Sequence, residues 1–117
     1  MEKKRIVLAD ASEDFRRMLA DAAAGEEDLE VVGSTGDGGT LLELIRTKEP
    51  DVVVMDLVLT GMDGLTVLQE LGEARPRILV LSSFAGSSLA EQASMGGADY
   101  LMLKPCRIPA LLERVRQ

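Results

Sequence analysis

The segment Val52-Val53-Val54-Met55-Asp56 contains four consecutive apolar residues followed by a carboxylate. A strand that is buried on both faces has apolar side chains at every position, which is typical of the centre of a parallel sheet. In doubly wound parallel sheets, ligands bind outside the carboxyl ends of the strands. The segment therefore predicts a central parallel strand, and it places Asp56 where such a sheet would hold a ligand.

Four further apolar runs flank this segment, and residues with helical periodicity separate each run from the next. The predicted strands are 6–9, 30–34, 52–55, 78–81 and 100–103, and the predicted N-caps of the first, second and fourth helices are Ser12, Thr40 and Ser87. Strand and helix alternate five times along the chain. With right-handed crossovers, this order predicts an α/β fold, a five-stranded doubly wound parallel sheet with helices on both faces.

Composition excludes several classes of function. The formal net charge is −7, whereas a stand-alone nucleic-acid-binding domain is normally basic. The chain has no histidine and one cysteine, Cys106, which excludes His-dependent triads, an intramolecular disulfide and a cysteine-based zinc site. The first apolar run is too short for a signal peptide or a membrane span, which favours a cytoplasmic location. A length of 117 residues predicts one domain.

Side chains that could bind a metal ion and a phosphoryl group follow four of the predicted strands. Asp10 follows the first strand, Asp56 the third, Ser82 the fourth and Lys104 the fifth. Each residue alone has a simpler explanation, because a strand-end carboxylate is more often a turn or helix cap and Lys104 could be a loop lysine. Their coincidence at one edge favours a site, since carboxylates bind Mg²⁺ while hydroxyl and ammonium groups neutralise phosphoryl oxygens.

Three segments carry a family resemblance. Residues 55–64 (MDLVLTGMDG) resemble the phosphorylation loop of receiver domains, residues 5–10 (RIVLAD) resemble their opening, and GGADY at 96–100 with LKP at 103–105 resembles their fifth strand. The chain is similar along its whole length to the receiver domain of bacterial two-component response regulators, and more loosely to the receiver of the sporulation master transcription factor. The resemblance implies a flavodoxin-like receiver fold over residues 1–117, with any output domain outside this chain.

The resemblance also implies a role for each strand-end residue. Asp56 would accept a phosphoryl group from a phosphohistidine on a sensor histidine kinase or a phosphotransfer protein. Asp10, Asp56 and the backbone carbonyl of Val58 would bind Mg²⁺. Ser82 and Lys104 would bond the phosphoryl oxygens and shift the partner-binding surface, with control of transcription as the expected outcome. Such a domain is a catalyst only in promoting its own phosphorylation and dephosphorylation.

The sequence departs from the family pattern at three places. Ala11 stands where receivers carry a second acid, which predicts weakened Mg²⁺ binding unless Glu13 or Asp14 replaces that acid. Thr60 stands where a proline is usual, which predicts a looser phosphorylation loop. Leu101 stands where many receivers carry an aromatic switch residue, and strand alternation predicts that neighbouring Tyr100 points to the other face of the sheet.

These departures motivate a second interpretation, a pseudo-receiver that acts as a dimerisation or docking module without phosphorylation. A flavodoxin-like carrier on the same fold is disfavoured, because the acidic segment 10–14 would repel a flavin phosphate. A small hydrolase of the dehalogenase type is disfavoured because the residue two places after the acid is Ser12 or Val58 rather than a second Asp. The family resemblance further predicts a weak homodimer through the fourth helix, fifth strand and fifth helix. The charged residues that support this dimer are Arg107, Arg114, Arg116, Glu91 and Asp99.

Overall fold

The apolar segment identified above forms β3, the central strand of a five-stranded parallel sheet with the order β2-β1-β3-β4-β5. The structure is a computed structural model that describes residues 2–72, 75–82, 96–104 and 106–117. The strands are β1 (Lys4–Ala9), β2 (Leu29–Thr35), β3 (Val52–Asp56), β4 (Arg77–Ser82) and β5 (Tyr100–Leu103). The predicted sheet is confirmed, with strand ends that differ from the predicted ones by no more than two residues.

The register of the sheet brings the polar strand ends to one edge. Met55 pairs with Ala9 on one side, and Asp56 pairs with Leu81 on the other. Ser82 then pairs with Leu103 of β5. Because all pairings are parallel, the residues that end or follow β1, β3, β4 and β5 lie along one rim, which we call the carboxyl rim.

Four helices are described, and they cover both faces of the sheet. They are α1 (Glu13–Ala24), α2 (Gly38–Lys48), α3 (Gly64–Leu71) and α4 (Ile108–Arg116). One apolar cluster joins α2 and α3 to one face of the sheet, and the other joins α1 and α4 to the opposite face. The label α4 belongs to the fifth predicted helix, since the fourth predicted helix, with its proposed cap Ser87, lies outside the described residues.

The observed N-cap residue is the predicted one at α1 but not at α2. Ser12 caps α1, with its side chain accepting a hydrogen bond from the amide of Phe15. The prediction that Thr40 caps α2 was wrong, because the cap is Asp37. The carboxylate of Asp37 accepts from both the amide (2.9 Å) and the hydroxyl (3.1 Å) of Thr40. Thr40 therefore lies in the first turn, where it donates to the cap rather than acting as one.

The end of α4 is held at the edge of the sheet opposite the carboxyl rim. The Arg116 guanidinium lies 2.7 Å from Asp28 and 3.3 Å from Glu26, and it is 4.0 Å from Glu113. Lys4 donates a hydrogen bond of 2.6 Å to the backbone carbonyl of Arg116. We call this group the amino-end cluster.

No helix in the described part of the chain is long and apolar enough to span a membrane.

Candidate functional site

Asp10 and Asp56 occupy equivalent positions at the ends of two neighbouring strands. Both residues are buried. In each carboxylate, Oδ1 accepts a hydrogen bond from the amide two residues further along the chain, that of Ser12 or that of Val58, at 2.9 Å in both cases. These turns fix the two carboxylates and leave Oδ2 of each facing the other strand end.

The ammonium of Lys104 connects these two carboxylates. Its Nζ donates to Oδ2 of Asp10 and, at 2.9 Å, to Oδ2 of Asp56. Burial disfavours the charged form of Lys104, but the hydrogen bonds and charges of Asp10 and Asp56 outweigh burial and raise its pKa above the usual value. The site therefore holds a fully charged cation between two carboxylates.

Two further contacts position Lys104. Its backbone amide donates to the carbonyl of Ser82 at 2.8 Å, which joins the ends of β4 and β5. Its Nζ also lies over the Phe15 ring of α1, 4.4 Å from the ring centroid. Ser82 itself is buried. The structure thus brings all four predicted strand-end residues, Asp10, Asp56, Ser82 and Lys104, to the carboxyl rim.

Val58 lies beside Asp56 in the loop after β3, with an exposed side chain. The contact that the structure shows is its amide hydrogen bond to Asp56. The metal-binding role of its carbonyl remains a prediction.

The site residues fit a divalent cation held by two carboxylates, because both Oδ2 atoms already converge on one positive charge. Mg²⁺ is commonly held by one or two carboxylates, with substrate phosphate and water completing the coordination. Ala11 is exposed and adds no acid. Glu13, the first candidate to replace it, is exposed and pairs instead with Arg17 at 3.1 Å. Among the described residues, no group of three acidic, histidine or cysteine side chains could hold a metal ion.

Thr60, whose place in the sequence predicted a looser phosphorylation loop, makes three hydrogen bonds to the loop between β2 and α2. The amide of Thr60 donates to the carbonyl of Gly36 at 2.9 Å, and its hydroxyl donates to the same carbonyl at 3.0 Å. The amide of Gly38 donates in return to the carbonyl of Thr60 at 3.0 Å. Proline has no N–H and could not make the first bond. Threonine therefore ties this loop to the loop between β2 and α2.

Gly64 brings the start of α3 against the end of β3. A Cβ atom at this position would lie 2.7 Å from Cα of Leu57 and 2.9 Å from the carbonyl oxygen of Asp56. Any larger residue would push the loop away from the phosphoacceptor candidate. The amide of Gly64 also donates to the carbonyl of Leu57 at 2.9 Å, which closes this loop.

Strand alternation places Tyr100 and Leu101 on opposite faces, as predicted. Tyr100 packs against the cluster of α1 and α4, and its ring centroid lies 4.0 Å from Cζ of Arg114. Leu101 packs against the cluster of α2 and α3. The neighbouring Tyr100 therefore does not take the place of the usual aromatic switch residue at position 101.

Sequence reasoning missed Phe15 as a member of the site. It was assigned only to the apolar stripe of the first helix, to which it also belongs. The available signal was its position three residues after Ser12, which places it in the first turn of a helix that begins at the carboxyl rim.

Three of the five charged residues cited in support of the homodimer have partners within the chain. Arg114 covers Tyr100 and bonds Gln117, Arg116 belongs to the amino-end cluster, and Asp99 accepts from the amide of Ile78 at 2.7 Å. Glu91 and the fourth predicted helix lie outside the described residues. The homodimer therefore remains a prediction, with less support from these residues than their sequence implied.

The strand order β2-β1-β3-β4-β5, with helices on both faces and polar side chains along the carboxyl rim, defines a flavodoxin-like α/β domain. Many solved structures are similar to it, and three of them illustrate the likeness. The response regulator domain of Thermotoga maritima CheB has a TM-score of 0.90 and 28% identity over 99% of this chain and 96% of that one. The receiver domain of a putative response regulator NarL from Mycobacterium tuberculosis has a TM-score of 0.88 and 31% identity over 99% and 98%. The REC domain of AraT from Geobacillus stearothermophilus has a TM-score of 0.83 and 29% identity over 96% and 89%.

The family model described as "Response regulator receiver domain" matches residues 6–116. The chain belongs to this family, whose members act in two-component signalling.

Proposed function

We propose that this domain is a phosphoryl-accepting switch in which Asp56 takes a phosphoryl group from a partner phosphohistidine. The observation that carries the proposal is the convergence of Asp10, Asp56 and Lys104, with one ammonium bonded to both carboxylates. This arrangement supplies a nucleophile and a fixed positive charge at the same edge of the sheet, which are the components that phosphoryl transfer needs.

In this reaction an oxygen of Asp56 forms a bond to phosphorus while the bond between phosphorus and the histidine nitrogen breaks. The imidazole leaves and takes up a proton. Asp56 is suited to this role because its carboxylate is held by the amide of Val58 on one oxygen and by Lys104 on the other. Such positioning lowers the entropic cost of an in-line displacement.

Lys104 and Ser82 would bind the phosphoryl group once it is attached to Asp56. Once Asp56 is phosphorylated, the negative charge lies on the phosphoryl oxygens, beyond the position of the free carboxylate. Lys104 would exchange its bond with Asp56 for one with a phosphoryl oxygen, and the Ser82 hydroxyl would bond another. Because Lys104 and Ser82 are joined through a backbone hydrogen bond, both changes would act on the ends of β4 and β5.

Asp10, Asp56 and the carbonyl of Val58 are the groups that would hold Mg²⁺. When bound, Mg²⁺ would neutralise charge on the transferring phosphoryl group. Ala11 leaves this site one carboxylate short of the family pattern. We infer weaker Mg²⁺ binding than in a receiver with both acids.

The proposed partner is a sensor histidine kinase or a phosphotransfer protein in the cytoplasm, and transcription regulation is the proposed outcome. The net charge of −7 argues against direct binding of nucleic acid by this domain. Its own catalysis would be limited to accepting and losing the phosphoryl group. A weak homodimer of the active form belongs to the same proposal.

The alternative is a pseudo-receiver that docks or dimerises without phosphorylation. Ala11 favours it, because the rim has one carboxylate fewer than the family pattern. Mg²⁺-dependent acceptance of a phosphoryl group separates the two functions.

The direct test is incubation with acetyl phosphate and Mg²⁺, followed by intact-mass spectrometry. Wild type should gain one phosphoryl mass, and Asp56→Asn should gain none because the attacking carboxylate is gone. Asp21→Asn is the matched control, since Asp21 is an exposed acid of α1 outside the site, and it should be labelled like wild type. Label that persists in Asp56→Asn would reject Asp56, and an unlabelled wild type would favour the pseudo-receiver.

A further inference from the structure

We propose that Phe15 is a positioning residue whose ring face holds the ammonium of Lys104 across Asp10 and Asp56. The inference rests on the proposed function, because Lys104 matters to phosphoryl transfer only if Asp56 is the acceptor. It goes further by assigning a role to an aromatic side chain on α1.

A continuous series of contacts runs from Asp10 through Ser12, Phe15 and Lys104 and returns to Asp10. The amide of Ser12 donates to Oδ1 of Asp10 at 2.9 Å, and the Ser12 hydroxyl accepts from the amide of Phe15 at 3.2 Å. The ring of Phe15 then lies 4.4 Å from Nζ of Lys104, which in turn donates to Oδ2 of Asp10. The carboxylate that faces the ammonium therefore also helps to fix the first turn of the helix that carries the ring.

The ring of Phe15 supplies an attraction for the ammonium that does not depend on the carboxylates. An ammonium has three N–H donors on a flexible four-carbon chain, and the two carboxylates each take one. The electron-rich ring face attracts the ammonium without accepting its proton or binding a metal ion. Lys104 could therefore exchange a carboxylate for a phosphoryl oxygen while the ring still restrains it.

The same ring also fills apolar space between α1 and the sheet. A useful test must separate this packing from the attraction for the cation. Fluorination of the ring does so, because it withdraws electron density from the ring face and changes the volume very little. Phe15→Leu retains an apolar side chain but removes the ring, whereas Phe15→Tyr retains an electron-rich ring.

The chain offers a matched control. Tyr100 makes the same type of contact with Arg114, at 4.0 Å, between β5 and α4, and neither residue bonds Asp10 or Asp56. Loss of that ring in Tyr100→Leu should affect local packing but not the site.

The experiment measures the rate of Asp56 phosphorylation by acetyl phosphate at saturating Mg²⁺, with mono-, di- and trifluorophenylalanine incorporated at position 15 alone. The rate should fall stepwise with each added fluorine, and Phe15→Leu should be roughly threefold to tenfold slower, within the range expected for a cation–π contact. Phe15→Tyr should stay within about twofold of wild type, as should Tyr100→Leu. The maximal rate should change more than the acetyl phosphate concentration that gives half of it. A rate that does not vary across the fluorinated series would overturn the proposal.

A second measurement tests the geometry independently of phosphorylation. In the NMR spectrum of wild type, the Cε protons of Lys104 should be shifted upfield by the ring current of Phe15, and the shift should vanish in Phe15→Leu. Resonances at the positions of exposed lysines would show that the contact is not formed in solution. If wild type is not phosphorylated, the proposed function fails while this shift still reports on the contact. If wild type is phosphorylated and the shift is absent, only the role of Phe15 fails.

Discussion

The carboxyl rim places Lys104 among carboxylates and the amino-end cluster does the same with Arg116, but the two regions differ in burial and in charge balance. At the rim, the side chain of Lys104 is 19% exposed, and its partners Asp10 and Asp56 are 7% and 13% exposed. In the amino-end cluster, Arg116 is 30% exposed, and Asp28, Glu26 and Glu113 range from 39% to 67%. Water therefore screens the cluster far more than the rim.

This difference in burial means that the amino-end cluster behaves as a surface ion pair, whereas the charges of the carboxyl rim interact more strongly. Exposed pairs contribute about 0–1 kcal/mol, because water and salt weaken the attraction and ordering two long side chains costs entropy. Breaking a more buried group is more costly, because the remaining charges lose their partner without regaining full solvation. The rim thus holds two carboxylates and an ammonium close together where water screens their charges only in part.

The largest expected effect compares Lys104→Met with Arg116→Met. Lys104→Met leaves two carboxylates facing each other and should lower the free energy of unfolding by about 2–3 kcal/mol at neutral pH without Mg²⁺. Arg116→Met should lower it by much less, because water already screens this group, and high salt should reduce the loss further. Urea denaturation of both variants measures these values.

Two controls sharpen this result. Lys3→Met removes an exposed lysine and should be close to neutral. Adding Asp56→Asn to Lys104→Met should recover part of the lost stability, because it removes one of the two unpaired carboxylates. Equal losses in Lys104→Met and Arg116→Met would show that burial does not distinguish the two regions.

The second prediction changes the charge balance of the rim. Ala11→Asp would give the rim three acids around Lys104, as Asp28, Glu26 and Glu113 surround Arg116. An added carboxylate within about 4 Å of a divalent ion attracts it by several kcal/mol before desolvation is subtracted, so we expect Mg²⁺ binding to tighten by at least roughly tenfold. Isothermal titration calorimetry at low salt measures this change.

Ala11→Ser is the matched control, because it adds a polar side chain without charge and should change the affinity little. Faster phosphorylation should accompany tighter binding in Ala11→Asp. Unchanged affinity would mean that the present site already binds Mg²⁺ as well as a site with three acids does.

The sheet and the four strand-end residues of the site were predictable because each depends on local pattern. The apolar run that ends at Asp56 specifies a central strand, and the residues after the neighbouring runs reach the same rim by parallel pairing. This argument needs only the period of a strand and the direction of its neighbours.

Two of the features that the sequence did not reveal depend on contacts between distant parts of the chain. Thr60 was interpreted only as the loss of a usual proline, yet its amide and hydroxyl both donate hydrogen bonds to the carbonyl of Gly36, 24 residues earlier in the chain. Phe15 was read as core, yet it lies against Lys104 from another element. Asp37 and Thr40 are both capping residue types, and the backbone conformation at Asp37 decides between them. Local pattern does not contain this information.

The smallest expected effect is the pH dependence of stability. The ion pairs of the amino-end cluster should lose their contribution in acid, and those of the carboxyl rim should lose theirs in alkali. The hydrogen bond from Arg116 holds the pKa of Asp28 below its usual value of 3.8. A lowered folded-state pKa contributes stability above the unfolded value, which is lost as pH falls through the folded one. The stability difference between wild type and Arg116→Met should therefore shrink in acid below about pH 3.8.

For Lys104 the sign is reversed. Although burial opposes its charge, the bonds to Asp10 and Asp56 raise its pKa above 10.5. The stability from this shift is present below pH 10.5 and is lost as pH rises through the higher folded value, so alkali should reduce the difference in stability between wild type and Lys104→Met.

NMR titration of Asp28 checks the prediction for acid directly, because the midpoint of its titration should return towards 3.8 in Arg116→Met. Asp37, whose pKa is lowered by Thr40, should keep its low midpoint in that variant. An unchanged Asp28 midpoint would show that Arg116 does not set this pKa.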